Sequence, residues 1–340
     1  MKVLITGAAG RIGAHLTRVC LEAGHDVRAF VVPGDPRAER IRLPGVELVE
    51  GDLRDRHTLQ RIATGVDAIA HLAGALTSRG NTDREFIDLN LNATFDLLVA
   101  ARAGSPNLHR FVYASSDAVY ATGGPAESLP IDETAPMQPG SVYGATKAGA
   151  ELLCLSFWRN EGFPATVLRF GATCDAEELI DPTSVFARWL YLHAARDFLA
   201  ALPERSPAQE KTLSILESFD AGSDKVIALT DTTIHPEVRQ WADARDVADG
   251  CLRALVDPAA IGEIFNLGGA APFTTLELAK LIAARTGMQS ILVPVPTARP
   301  PWYLSSEKAG RLLGYRPERT VFAMVDDALA ARAPSTGHVG

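Results

Sequence analysis

The sequence predicts an α/β fold, a doubly wound parallel sheet carrying a smaller mixed α/β cap toward its C-terminus. Three observations predict it. Strand and helix patterns alternate through the first half of the 340 residues, a glycine-spaced turn follows the first strand, and helical segments in the second half have no place in a simple alternating sheet. Alternation of this kind specifies parallel strands joined by right-handed helical crossovers. An apolar share of 47% gives a chain of this length a large core.

Lys2 to Thr6 is apolar and β-branched and reads as the first strand, residues 11–23 as an amphipathic helix and residues 27–32 as the second strand. Residues 46–50, a helix near 59–63, a strand at 68–72, a helix from about 83 to 103 and a strand at 111–114 continue the pattern. Residues 121–141, rich in Gly, Pro, Ser and acids, read as a long loop leading into a helix that begins near Tyr143. Loops of that length are usually functional. In the helix that follows, Ala148, Leu152, Leu155, Ser156 and Trp158 fill much of the surface, so burial on more than one side is expected, with room for a dimer seam. Residues 184–217 are helical in pattern, broken by Pro203 and Pro207, and are assigned to the cap. The expected division is a dinucleotide-binding domain at 1–170 with returning segments near 240–268, and a substrate-binding cap at 171–239 and 269–330.

Net charge of -8 without a run of five like charges leaves no electrostatic footprint for nucleic acid or an anionic membrane, so small-molecule partners are expected. Cys20, Cys154, Cys174 and Cys251 are scattered with no CxxC spacing. They read as buried free thiols in a reducing cytoplasm, with no metal site. The N-terminus has no cationic leader pattern and no stretch of about 18 apolar residues follows, so neither a removed leader nor an anchor is expected.

After the first strand stands Thr6-Gly7-Ala8-Ala9-Gly10-Arg11-Ile12-Gly13. Gly7 permits a tight turn, Gly10 lets backbone approach a pyrophosphate, and Gly13 lets the helix pack closely on the sheet, while the helix N-terminus attracts the anion. This is a Rossmann-type cradle, with Gly7, Ala9, Gly10, Arg11, Ile12 and Gly13 as the expected contacts. Gly51-Asp52-Leu53 follows the third strand, where Asp52 can accept the adenine amino group, and Leu72, Ala73 and Gly74 follow the fourth, where small residues let backbone lie against the cofactor. The selector position of the second strand falls at Val31 or Val32, neither of them a usual selector; beyond it Asp35 is placed for a ribose diol and Arg37 for a 2′-phosphate, with solvated loop charges as the alternative reading of both. NAD is slightly preferred, and NADP stays open.

Tyr143 and Lys147 are four apart on an expected helix and share one face. A nearby ammonium lowers a phenol's pKa and makes it a proton shuttle. Ser116, ending the strand at 111–114, can hydrogen-bond the same substrate oxygen.

These motifs together resemble the extended branch of the short-chain dehydrogenase/reductase family, the NAD-dependent epimerase/dehydratase group. The resemblance also runs through Asn90, Ser115 to Tyr120, Arg239 to Ala248, Phe265 to Gly269, Ser306 to Ala309 and Leu313 to Pro317. It implies Tyr143 as acid/base, Lys147 holding the nicotinamide ribose, Ser116 orienting the reacting oxygen and Asn90 serving the proton path or the cofactor. It further implies a homodimer through a four-helix seam near 93–103 and 148–160, and a substrate diphosphate on Arg239 and Arg299. Arg79 and Asp117 are further candidate substrate contacts.

Two features depart from the nucleotide-sugar members. Arg169-Phe170-Gly171-Ala172-Thr173-Cys174-Asp175 stands where they carry an Asn and a Tyr-Gly-Pro, and an extra helical segment lies near 193–217. Ala118 replaces the Glu that dehydratases keep beside Asp117, which disfavours sugar dehydration. The readings carried forward are an epimerase on a sugar-like, nucleotide-linked or similar substrate, a net dehydrogenase or reductase on a non-nucleotide hydroxy compound, and a non-enzymatic dinucleotide sensor. Retention of Ser116, Tyr143 and Lys147 together argues against the sensor.

Overall fold

The computed structural model describes residues 1–76, 80–120, 126–220 and 222–332. The first half runs β1 (Lys2–Thr6), α1 (Arg11–Glu22), β2 (Asp26–Val31), β3 (Val46–Glu50), α2 (Arg56–Ala63) and β4 (Ala68–His71). It continues through α3 (Asp83–Phe86), a π turn (Ile87–Asn92), α4 (Ala93–Gly104), β5 (Arg110–Ser116), α5 (Val142–Glu161) and β6 (Ala165–Phe170). The second half holds β7 (Thr173–Cys174), α6 (Leu192–Ala200), α7 (Pro207–Ser218), β8 (Val226–Thr230), β9 (Val238–Arg239) and β10 (Ala242–Asp243). It closes with α8 (Ala244–Val256), β11 (Ile264–Leu267), β12 (Phe273–Thr274), α9 (Thr275–Thr286), β13 (Ser290–Pro294), α10 (Glu307–Leu313) and α11 (Val321–Arg332).

Seven parallel strands form the central sheet in the order β11-β6-β5-β4-β1-β2-β3. The order reverses direction at β1, so the carboxyl ends of β1 and β4 open a crevice of the kind in which such sheets bind ligands. β4, β5 and β6 are buried along their whole length, as strands covered by helices on both faces must be. One core packs α1 and α8 on the sheet around Val3, Ile5, Leu16, Val112 and Phe265; the other packs α2, α4 and α5 around Leu4, Ile62, Leu97, Phe111 and Phe157.

The cap is organised on a second parallel pair, β8 with β13. Leu192, Ala195 and Leu216 cover it from α6 and α7, while Leu278, Ala279, Met324 and Val325 of α9 and α11 belong to the core that also takes in Val226 and Ala228. All four cysteines are buried and free.

Three local expectations change. The helix at 83–103 is three pieces, because the π turn between α3 and α4 carries Asn90 inward; apolar periodicity does not resolve a single wider turn. The second strand stops at Val31, and Val32 is 65% exposed. Pro207 begins a helix instead of breaking one: it occupies the first turn of α7, behind a Ser206–Gln209 capping box.

Candidate active site

The cradle is built at the β1–α1 turn. Gly7 has φ +69°, and a Cβ there would stand 2.9 Å from the backbone of Ala73, so the turn lies directly against the segment after β4. At Gly13 a Cβ would stand 2.3 Å from the Gly7 carbonyl. Gly10 is the N-cap of α1 and supplies no side-chain cap, which leaves the amides of the first turn for an anionic ligand. Ala9 is buried and Ile12 half-buried beside them. This close approach of bare backbone to a helix N-terminus fits a dinucleotide pyrophosphate.

The charged candidates around the cradle already have partners. Arg11 extends to Glu178, with Nη2 to Oε1 at 2.8 Å, and its guanidinium lies 5.6 Å from the Phe186 ring centroid, tying the cradle to the cap. Asp52 chelates Arg54, Nε to Oδ1 at 3.0 Å, beside half-buried Leu53. Asp35 and Arg37 pair with each other, Nη2 to Oδ2 at 2.8 Å, so the diol candidate and the 2′-phosphate candidate neutralise one another.

At the mouth of the cradle, β5 ends at Ser116 and turns through 117–119 into the N-terminal face of α5. Ser141 caps that helix by accepting the Gly144 N–H at 3.1 Å. A Cβ at Gly144 would lie 2.2 Å from the Ala118 carbonyl, so the helix begins flush against the turn, and this sets the Tyr143 phenol beside Ser116. One turn on, Lys147 is buried and its ammonium donates to the Ala114 carbonyl at 2.8 Å, 5.1 Å from the Tyr113 ring centroid. Asn90 accepts the Ala75 N–H at 2.8 Å and donates to the Ala75 carbonyl at 3.1 Å, clamping the strand-end loop. Because Gly74 has no side chain, this loop passes close to both: a Cβ would be 2.5 Å from Asn90 Oδ1 and 3.5 Å from Lys147 Nζ. Leu72, Ala73, Gly74, Asn90, Ser116, Tyr143 and Lys147 thus converge.

Burial pushes the Tyr143 phenol up to about 12, aided by the charge of Asp117 and opposed by its hydrogen bond to Ser116. The expected depression by Lys147 does not prevail, since the ammonium's hydrogen bond goes to Ala114 and desolvation dominates a phenol in this position. Burial also lowers Lys147 to about 8, with Glu151 pulling the other way.

Asp117 accepts from Ser116 Oγ at 3.1 Å and from Trp302 Nε1 at 3.0 Å, and burial raises its carboxyl above the usual range. Arg239 and Arg299 lie in the cap, and Arg239 pairs through backbone with Trp302. Arg239 pairs with Glu237, and Arg299 is exposed. Arg79 lies outside the described residues. Sequence reasoning missed four side chains that shape the site: Glu151, Glu178, Glu237 and Trp302. Glu151 was findable, since Tyr143, Lys147 and Glu151 continue one helical face at intervals of four; the others meet their partners only across long stretches of chain or through a buried ion pair.

Beneath the site lies a buried polar floor. Arg169 Nε and Nη2 donate to Glu151 at 3.0 and 2.7 Å, and its Nη1 donates to Tyr120 Oη at 2.8 Å. Tyr120 in turn donates to Asn266 at 2.8 Å, and Ser115 donates to Glu151.

Residues 3–195 match the NAD dependent epimerase/dehydratase family. A short-chain dehydrogenase/reductase superfamily protein from Agrobacterium tumefaciens, solved with bound NAD, is 32% identical and superposes with a TM-score of 0.87 over 98% of this chain and 97% of that one. A UDP-glucose 4-epimerase from Corynebacterium glutamicum is 27% identical over 97% of this chain and 95% of its own. A 4-hydroxy-2-methyl-3-oxo-4-farnesyl-3,4-dihydroquinoline-1-oxide ketoreductase from Stigmatella aurantiaca is 36% identical over 50% of this chain and 49% of its own. The chain belongs to the NAD dependent epimerase/dehydratase family, the extended branch of the short-chain dehydrogenases/reductases, and is an enzyme of that group.

Proposed function

We propose that this enzyme moves hydride between a nicotinamide cofactor and a carbinol or keto carbon of a sugar-like substrate, with Tyr143 as the acid/base. The observation that carries this reading is the convergence of Ser116, Tyr143 and Lys147 at the mouth of a glycine-lined cradle. The cradle from Gly7 to Gly13, the segment Leu72 to Gly74, Asn90 and Lys147 would hold NAD, with Asp52 and Leu53 at the adenine end; NAD supplies the hydride acceptor or donor. Tyr143, ionised against the burial that raises its phenol, takes the hydroxyl proton of the substrate at its phenol oxygen, Ser116 orients that oxygen, and Lys147 one turn away holds the ribose and adds positive charge that favours the phenolate. Asp117, tethered by Trp302, faces a second hydroxyl.

Tyr143→Phe keeps the ring and removes the proton carrier, so turnover should fall about 10²- to 10⁴-fold with cofactor affinity retained. Normal turnover in that variant would sink the assignment. The assay follows reduced nicotinamide absorbance across a panel of sugars, sugar acids and nucleotide sugars, with NMR of the sugar as a second readout. Net reduction of cofactor marks a dehydrogenase, and altered sugar without net reduction marks an epimerase. NAD is the cofactor tried first, with NADP beside it. We also propose a homodimer that buries the faces of α4 and α5, where Phe95 is 42% and Leu152 53% exposed, acting in a reducing compartment that suits four buried thiols.

A further inference from the structure

The cap holds the two guanidinium groups that family resemblance assigns to a substrate diphosphate, and one of them is already neutralised from within the chain. Glu237 is buried and its Oε2 accepts from Arg239 Nη2 at 2.6 Å. Its other oxygen accepts the Arg299 backbone N–H at 2.6 Å, which places one carboxylate between the two candidate arginines. Arg239 Nη1 is engaged as well, donating to the carbonyls of Val238 at 3.0 Å and Pro300 at 2.8 Å. The Arg239 side chain is 12% exposed and that of Glu237 4%, so the pair has little water to screen it.

These contacts form a strut. They fix the 299–302 segment to β9, where Trp302 also pairs with Arg239 through backbone, and the same segment delivers the Trp302 indole to Asp117 beside Ser116. From the other side, Thr297 shares a hydrogen bond of 2.9 Å with Thr212 of α7, so the extra helix secures the approach to Arg299. A diphosphate drawn to Arg239 would have to displace a buried carboxylate or lie against it, and like charges in contact at a water-poor site repel strongly. Arg239 therefore serves the cap's architecture, which leaves the exposed Arg299 without the second cation a diphosphate clamp needs, and the polar groups left to meet a substrate hydroxyl are those around Ser116, Asp117 and Tyr143.

We propose that Glu237 is a specificity-determining residue which occupies Arg239 and excludes diphosphates, so that the substrate is a hydroxyl-bearing ring compound, a free sugar or related polyol, without a linked nucleotide. This rests on reading the site as a hydride-transfer centre for a carbinol. The probe is UDP, titrated calorimetrically into NAD-loaded wild type and into Glu237→Gln, which keeps the shape and removes the charge. Wild type should bind UDP more weakly than about 1 mM, and Glu237→Gln should gain tenfold or more. Micromolar UDP binding by the wild type, or no gain in a folded Glu237→Gln protein, overturns the proposal. If that variant does not fold, the wild-type titration and the substrate panel decide: turnover of free sugars or polyols supports it, and turnover confined to nucleotide sugars overturns it. Failure of the hydride reading is separately visible, since it shows as full activity in Tyr143→Phe or no redox turnover on any panel member while the UDP titration still gives its own answer.

Discussion

Glu151→Gln tests whether the floor beneath the reaction centre is held by charge. Arg169 is 3% and Glu151 0% exposed at the side chain, and the guanidinium gives its Nε and Nη2 protons to that single carboxylate. The amide keeps the volume but leaves Arg169 cationic with no buried counter-ion, the arrangement in which removing one partner costs about 3–5 kcal/mol. For a chain of this length the unfolding entropy is about 0.7 kcal/mol per degree near the midpoint, so Tm should fall by about 4–7 °C. Calorimetric unfolding of wild type and variant at fixed NAD concentration measures it, because bound cofactor itself shifts Tm. Replacing both partners, Glu151→Leu with Arg169→Met, should recover most of the loss, since an apolar pair leaves no orphaned charge. A Tm within about 1 °C of wild type in the single variant, or a double variant no better than the single, would refute the reasoning.

The remaining predictions concern pH and assembly. Lys147 has a folded pKa of about 8 against an ordinary 10.5, so the unfolded chain binds more protons between those values. Its burial therefore costs stability below about pH 8, and that cost is relieved as pH rises toward 10; Tyr143, raised to about 12, acts in the opposite sense only above pH 10. The stability advantage of Lys147→Met over wild type should shrink between pH 8 and 10 in thermal melts, and a constant difference across that range would contradict the burial account. For the seam, Leu152→Asp should move the protein from dimer to monomer by light scattering; a wild-type monomer, or a variant that stays dimeric, removes α5 from the interface.

Much of the site was legible in the residues because its parts obey local rules. A glycine that must adopt positive φ or admit a backbone at contact distance announces itself by position after a strand, as Gly7 and Gly13 do. Two side chains four apart on a helix share a face whatever surrounds them, which located Tyr143 and Lys147. The parallel sheet with helices on both faces follows from the alternation of strands and helices, whereas the order of its seven strands does not.

What the tertiary structure decided are the states of those groups and the partners they take. The sign of the Tyr143 shift depends on how deeply the phenol is desolvated and where the Lys147 proton goes, and neither is encoded in a spacing. Arg239 in the sequence is a free cation available to a phosphate; in the fold its guanidinium is bound to Glu237 and to the Pro300 carbonyl 61 residues away. Asp35 and Arg37 likewise argue for different cofactors as letters and cancel as a pair. Local patterns determine geometry because backbone sterics are short-ranged, whereas charge and solvation are set by whatever the chain brings near, and only the folded chain specifies that.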